Sequence, residues 1–138
     1  MGSNRKPEEI IAKMMAQDAF SQWLGIQIDE TGVGYCRLSM RIRPEMCNGF
    51  SIAHGGITFS LADSALAFAS NSRGRHALSI DTSIAHVKPL HPGEMITAHT
   101  KEIHISNKIA IYHVYVTNEA DEQVAVFKGT VYRKGTDW

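Results

Sequence analysis

Little in this sequence is extreme, and each missing extreme removes a class of function. Fourteen lysines and arginines balance fourteen aspartates and glutamates. A chain with no net charge sets up no field of one sign to draw in a nucleic acid. No apolar run is long enough to cross a bilayer, because Gly, Ser, Thr and Asp63 interrupt the best candidate. No leading apolar segment reads as a secretory signal. A cytoplasmic protein without a membrane partner is therefore expected. Two cysteines, Cys36 and Cys47, are too few for a disulfide framework and read as reduced, buried thiols. Seven histidines include no His-Glu-x-x-His pattern and no paired-cysteine pattern, so no metal site is assigned. His99 and His104, five apart on one strand, are expected on opposite faces of a sheet.

What remains is 43% hydrophobic and 20% charged over 138 residues. That is an ordinary globular composition and the length of one domain, so residues 1–138 are read as one unit. Met1, Gly2 and Ser3 read as a remnant of cloning. Pro7 with Glu8 and Glu9 starts a helix, with Ile10, Ile11, Met14 and Met15 on its apolar face and an end near Asp18. Phe20, Trp23 and Leu24 then form an apolar linker. A hairpin follows, from a short strand at Leu24–Ile28, through a turn at Asp29–Gly34, to a strand at Tyr35–Arg43. In that second strand Cys36, Leu38, Met40 and Ile42 alternate with polar residues. After residue 76 the pattern is β, with strands at Ala77–Lys88, Met95–Ser106, Ile109–Thr117 and Gln123–Arg133, then a polar tail. Short turns make these neighbours antiparallel.

Between hairpin and strands lies the stretch from His54 to about Ser70, the one long helix-period run in the middle of the chain. Its apolar and small residues lie all round the helix, which marks a buried helix. One helix of this kind beside one long antiparallel sheet predicts an α+β fold in which the sheet wraps the helix. From Gly55 to Ser72 the only ionisable residue is Asp63. A lone carboxylate in an apolar setting is costly and points to function. The helix opens on Gly55 and Gly56, whose bare backbone can bring N–H groups close to a polarised oxygen.

Asn48-Gly49, His54-Gly55-Gly56 and Asp63, with their spacing, resemble the hotdog-fold acyl-CoA thioesterases of the phenylacetate-degradation (PaaI-like) type. The resemblance covers about residues 20–134. It implies that Asp63 is nucleophile or general base and that the Gly55 N–H polarises the thioester carbonyl. Asn48 then places the carbonyl or water, and His54 shapes the site. Phe50, Phe59 and Leu66 are the candidates to line the pocket for the acyl part, which is aryl or of medium length, and Gly56 is a further substrate-binding candidate. Arg73, Arg75 and Lys108 are the candidates for the nucleotide phosphates. Coenzyme A belongs to the substrate, so no separate cofactor is implied. Relatives often carry Thr four residues after the acid, where this chain has Ala67, so either Ser60 or Ser64 stands in or the group is unnecessary. Two other readings stay open. One is a hydroxyacyl-thioester dehydratase or hydratase using His54, and the other is a non-enzymatic acyl-CoA-binding module.

Spacing adds a demand of its own. Gly55 and Asp63 are eight residues apart, about 12 Å along a helix axis. They cannot act on one carbonyl from the same helix. If both act together, the site is shared by two subunits of a homodimer, itself free to pair as a dimer of dimers.

Overall fold

The computed structural model describes residues 4–138. Met1–Gly2–Ser3, with the character of a cloning remnant, lie outside the described residues. In chain order the elements are α1 (Pro7–Ala16), α2 (Ala19–Leu24), β1 (Gln27–Gly32), β2 (Tyr35–Arg41), a 3-10 turn (Pro44–Met46), α3 (Gly55–Asn71), β3 (Arg75–His86), β4 (Met95–Ile105), β5 (Ile109–Thr117) and β6 (Gln123–Asp137). The strands form one antiparallel sheet in the order β1-β2-β4-β5-β6-β3. Because β2 lies near one edge and β3 forms the other, the connection between them must traverse the sheet. That connection is α3, and the sheet curls round it. This is the hotdog arrangement that the sequence predicts.

The core is the interface of α3 with the inner sheet face. Leu61, Ala65, Phe68 and Ala69 of the helix are fully buried, as are Cys36, Leu38, Met40, Ile96, Ala98, Tyr112, Val114, Val116 and Phe127 of the strands. Each large apolar side chain so buried contributes about 1.5–3 kcal/mol. One contact is unusually close. A Cβ placed on Gly129 of β6 would lie 2.4 Å from Cδ2 of Leu66, so the strand is notched where the helix leucine sits. Cys36 donates its thiol hydrogen to the Ala65 carbonyl at 3.3 Å, and burial pushes its pKa up to about 12, which keeps it a neutral thiol. Cys36 and Cys47 are both free.

Several expectations shift. The apolar linker at residues 19–24 is a short helix, capped by Asp18, whose Oδ1 accepts from the Ser21 N–H at 2.9 Å, and closed by Gly25 at φ 77°. The first strand lies three residues later than expected. Asp29–Gly32, with the composition of a turn, instead pair with β2 as an exposed edge strand. The polar tail is strand to Asp137, because Arg75 of β3 pairs opposite Asp137. His99 and His104 share one face. A bulge between Glu102 and His104 reverses the alternation, so His99 pairs opposite Tyr115 and His104 opposite Ile111, both on the outer side of β5. Among the described residues no helix is long and apolar enough to cross a membrane, and no group of three or more His, Cys, Asp or Glu could hold a metal ion.

Candidate active site

The approach to α3 is set by Asn48. Its Oδ1 accepts from the Phe50 N–H at 2.9 Å and the Ile52 N–H at 3.3 Å, folding residues 48–52 into a tight loop. An isolated bridge between Cys47 and Ala53 closes that loop. His54 is the N-cap residue, with φ −56° and ψ 141°, and its side chain makes no cap hydrogen bond. Gly55 is therefore the first helical residue, where an amide has no acceptor within the helix. Glycine leaves the approach open, since a Cβ there would lie 3.0 Å from Nε2 of His86. Gly55, Thr58, His86 and Lys88 line a cavity of about 400 Å³ with the loops around it. His54 and Gly56 line a different depression, with Phe20 and Trp23. Phe50 is 85% exposed at the loop tip and lines neither of these.

Asp63 occupies another environment. It is half-buried, and burial first, then the like charge of Asp18, raise its pKa above the usual carboxylate value. It lies on the wall between two hollows. The smaller, about 190 Å³, is lined by Asp18, Phe59, Ser64 and Ala67 among others. The larger, about 370 Å³, runs from Asp63 and Leu66 to Asn71 and Trp138, with Met14 and Val131 at its sides. Phe59 is set edge-on to Phe127, with ring centroids 5.4 Å apart. The two serines weighed as stand-ins for the threonine are both occupied. Ser60 donates to the Gly56 carbonyl at 2.7 Å. Ser21 donates to Asp18 at 2.6 Å, so the 2.7 Å contact between Ser64 and Ser21 has Ser64 as donor. Each hydroxyl hydrogen is thus committed to a protein acceptor.

The expected phosphate-binding residues gather at one end of the sheet. Arg73 makes a two-pronged ion pair with Glu102, Nε to Oε2 and Nη2 to Oε1, each at 2.7 Å. The Tyr112 hydroxyl donates to the same Glu102 at 2.7 Å. Arg75 holds Asn107 through both the side-chain oxygen, at 3.1 Å, and the carbonyl. Arg133 donates to the Ser106 carbonyl at 2.7 Å, and its own N–H bonds the carbonyl of the exposed Lys108. Glu102 is thus held directly by Arg73 and lies within the field of Arg133, while Arg75 is spent on Asn107. Burial and then the charge of Arg75 press the Arg133 guanidinium below its usual pKa.

The structure keeps Gly55 and Asp63 in separate cavities. Beside Gly55 it adds His86 and Lys88, and around Asp63 it adds Met14, Asn71 and Trp138. No local pattern marks the first four of these. Trp138 alone carries a signal, as a large aromatic in an otherwise polar tail.

The thioesterase superfamily profile matches residues 50–125. The chain is 40% identical over 131 residues to a relative from Archaeoglobus fulgidus, covering 95% of this chain and 85% of that protein. It is 34% identical over 122 residues to the acyl-coenzyme A thioesterase PaaI of Escherichia coli, covering 88% of this chain and 87% of that protein. The solved structure of the E. coli PaaI protein from the phenylacetic acid degradation operon matches with a TM-score of 0.93, 31% identity and 95% coverage of each chain. A mutant structure of the phenylacetic acid degradation protein PaaI from Thermus thermophilus matches with a TM-score of 0.82 and 34% identity, over 85% of this chain and 100% of that one. The chain belongs to the thioesterase superfamily, among its PaaI-like hotdog enzymes.

Proposed function

We propose that this enzyme hydrolyses aryl or medium-chain acyl-CoA to the free acid and coenzyme A, at sites shared between two subunits. The observation that carries this reading is the position of Asp63. It is a carboxylate with no neutralising partner among the described residues, at the mouth of an apolar hollow sized for a small acyl group. In the ionised form, Asp63 either takes a proton from the attacking water or attacks the carbonyl itself. The Gly55 N–H stabilises the charge that develops on the carbonyl oxygen. The thiolate leaves readily, so no strong acid is needed, and coenzyme A enters as part of the substrate without a separate cofactor. Asn48 acts by fixing the loop that delivers Gly55, and His54 and Gly56 flank that donor. Leu66 lines the acyl hollow, and Phe59 lines the smaller hollow on the other side of Asp63. Arg75 and Lys108, with Arg73 held by Glu102 behind them, form the positive end suited to nucleotide phosphates.

Shared sites follow from the two separate cavities. Gly55 of one protomer meets Asp63 of its partner when two copies of α3 lie antiparallel across a two-fold axis, which produces two equivalent sites. Edge strand β3 supports this assembly. It is 12 residues long, its outer backbone edge is unpaired among the described residues, and Leu78 and Ile80 on it are each 59% exposed. The dehydratase alternative would use the same shared geometry, since His54 immediately precedes Gly55, and the reaction products separate the two readings.

The test is thiol release from a panel of aryl and straight-chain acyl-CoAs. Turnover of aryl and medium-chain thioesters, abolished by Asp63→Asn, is the expected result. Tight binding without thiol release would replace the enzyme reading with the binding-module reading. Water addition or loss without thiol release would replace it with the dehydratase reading.

A further inference from the structure

The larger hollow beside Asp63 ends in a built wall. Asn71, in the last turn of α3, is 3% exposed, and its carboxamide is fully used. Its two N–H bonds go to the Ala67 carbonyl at 2.8 Å and the Ala77 carbonyl at 3.1 Å. Its oxygen accepts from the Ala77 N–H at 3.0 Å and from the indole N–H of Trp138 at 2.9 Å. A carboxamide has two donors and two acceptor sites, and all four are filled here. The indole is also held edge-on against His76, with ring centroids 4.5 Å apart. His76 is in turn within 2.8 Å of the Thr136 hydroxyl, and the Trp138 N–H bonds the Gly74 carbonyl at 2.9 Å. An indole fixed through a saturated, buried carboxamide is a rigid surface rather than a loose end.

We infer that Trp138, locked by Asn71 and His76, is the floor of the acyl pocket and sets the longest acyl chain the enzyme accepts. This rests on the reading of Asp63 as the group at the thioester. Asp63 and Asn71 are eight residues apart on α3, about 12 Å along its axis. A zigzag of C–C bonds of about 1.5 Å advances about 1.25 Å per bond, so the floor is reached after about ten carbons. Shorter chains and small aryl groups fit above the indole. A longer chain must displace the ring and break its bond to Asn71, leaving a buried carbonyl oxygen one partner short.

The test uses S-alkyl-coenzyme A thioethers of increasing length, which cannot be hydrolysed, with dissociation constants measured by calorimetry. Affinity should rise about fourfold for each methylene buried, up to about ten carbons, and then stop rising. In Trp138→Ala the rise should continue through several further methylenes. In Trp138→Phe, which keeps a ring at the floor, the break should stay near its original length. Folding of each variant is checked by circular dichroism and thermal melting. The same break point in folded Trp138→Ala as in the unaltered protein, the lack of any break, or no binding of any thioether would each overturn the inference. A break that moves as expected upholds it. Asp63-dependent thiol release, assayed separately, shows whether the underlying reading stands when the floor does not.

Discussion

The two halves of α3 carry the same kind of residue, small and apolar, yet offer opposite surroundings. At its start, Gly55 and Gly56 are exposed, and the adjoining cavity is edged by His86 and Lys88. Eight residues on, Asp63 is half-buried beside Leu66, Ala67 and Met14. The open end suits a hydrogen-bond donor that must meet an incoming carbonyl. The closed middle suits a carboxylate whose basicity burial increases. One helix provides both environments but cannot bring them together; in the assembly we propose, two copies of the helix do. The sharpest way to break this comparison is to damage each half separately. Asp63→Asn should lower turnover by about 10²–10⁴-fold, the usual contribution of a positioned base. Gly55→Pro should cost about 10²–10³-fold by deleting one donor. His54 already holds the extended backbone that a following proline requires, so the second variant should fold. Unfolding and refolding the two variants together should restore about a quarter of normal activity, since half the dimers are mixed and each holds one intact site. No recovery in dimers shown to be mixed would mean that the two residues do not share a carbonyl.

A second prediction concerns the end of the sheet away from the reaction. Burial alone would raise the Glu102 pKa, but the hydrogen bonds from Arg73 and Tyr112 outweigh it and hold it below the usual value. Glu102 therefore contributes stability that is present above the ordinary glutamate pKa and is lost as pH falls through its lowered one. Glu102→Ala leaves the buried Tyr112 hydroxyl without its acceptor and the Arg73 guanidinium without its carboxylate. It should cost about 1–3 kcal/mol, measured by denaturant unfolding at neutral pH. An unchanged midpoint there would show that the cluster adds nothing to the fold.

The third effect is smaller and has the opposite sign. The pKa of Asp63 is raised in the fold. Its contribution to stability is thus fully present below the unfolded carboxylate pKa and is lost as pH rises through the folded one. At neutral pH Asp63→Asn should melt at a slightly higher temperature than the unaltered protein, and below about pH 4 the difference should vanish. The acid limb of the rate profile should lie above the ordinary aspartate range. A lower melting temperature at neutral pH would mean that the charge at residue 63 has a partner that stabilises it.

The contrast within α3 is legible in the amino-acid sequence, because a lone acid and a glycine-led start are local oddities. The alternating strands β2 and β5 are legible for the same reason, since their burial follows their own sequence. Misreadings arise where distant residues decide. Asp29–Gly32 has the composition of a turn and is a strand only because β2 pairs with it. Residues 134–137 have the composition of a polar tail and are strand because β3 lies alongside. Arg73 reads as a candidate for the nucleotide phosphates, yet its guanidinium is held by Glu102, 29 residues away. One bulged residue, Ile103, turns His104 to the same face as His99. The pocket floor joins residues 71, 76 and 138, a combination to which no periodicity points.

The notch at Gly129 governs where Asp63 faces. Successive residues are about 100° apart around a helix, so rotation by a single position would carry the carboxylate from one hollow into solid packing. Leu66, three residues beyond Asp63 and on nearly the same flank, has its methyl group seated in the gap of a missing Cβ. A smooth strand would let the helix settle at any of several angles with similar burial. The notched one works like a keyway on a shaft, fixing the angle at which the acid is presented while taking no part in the chemistry.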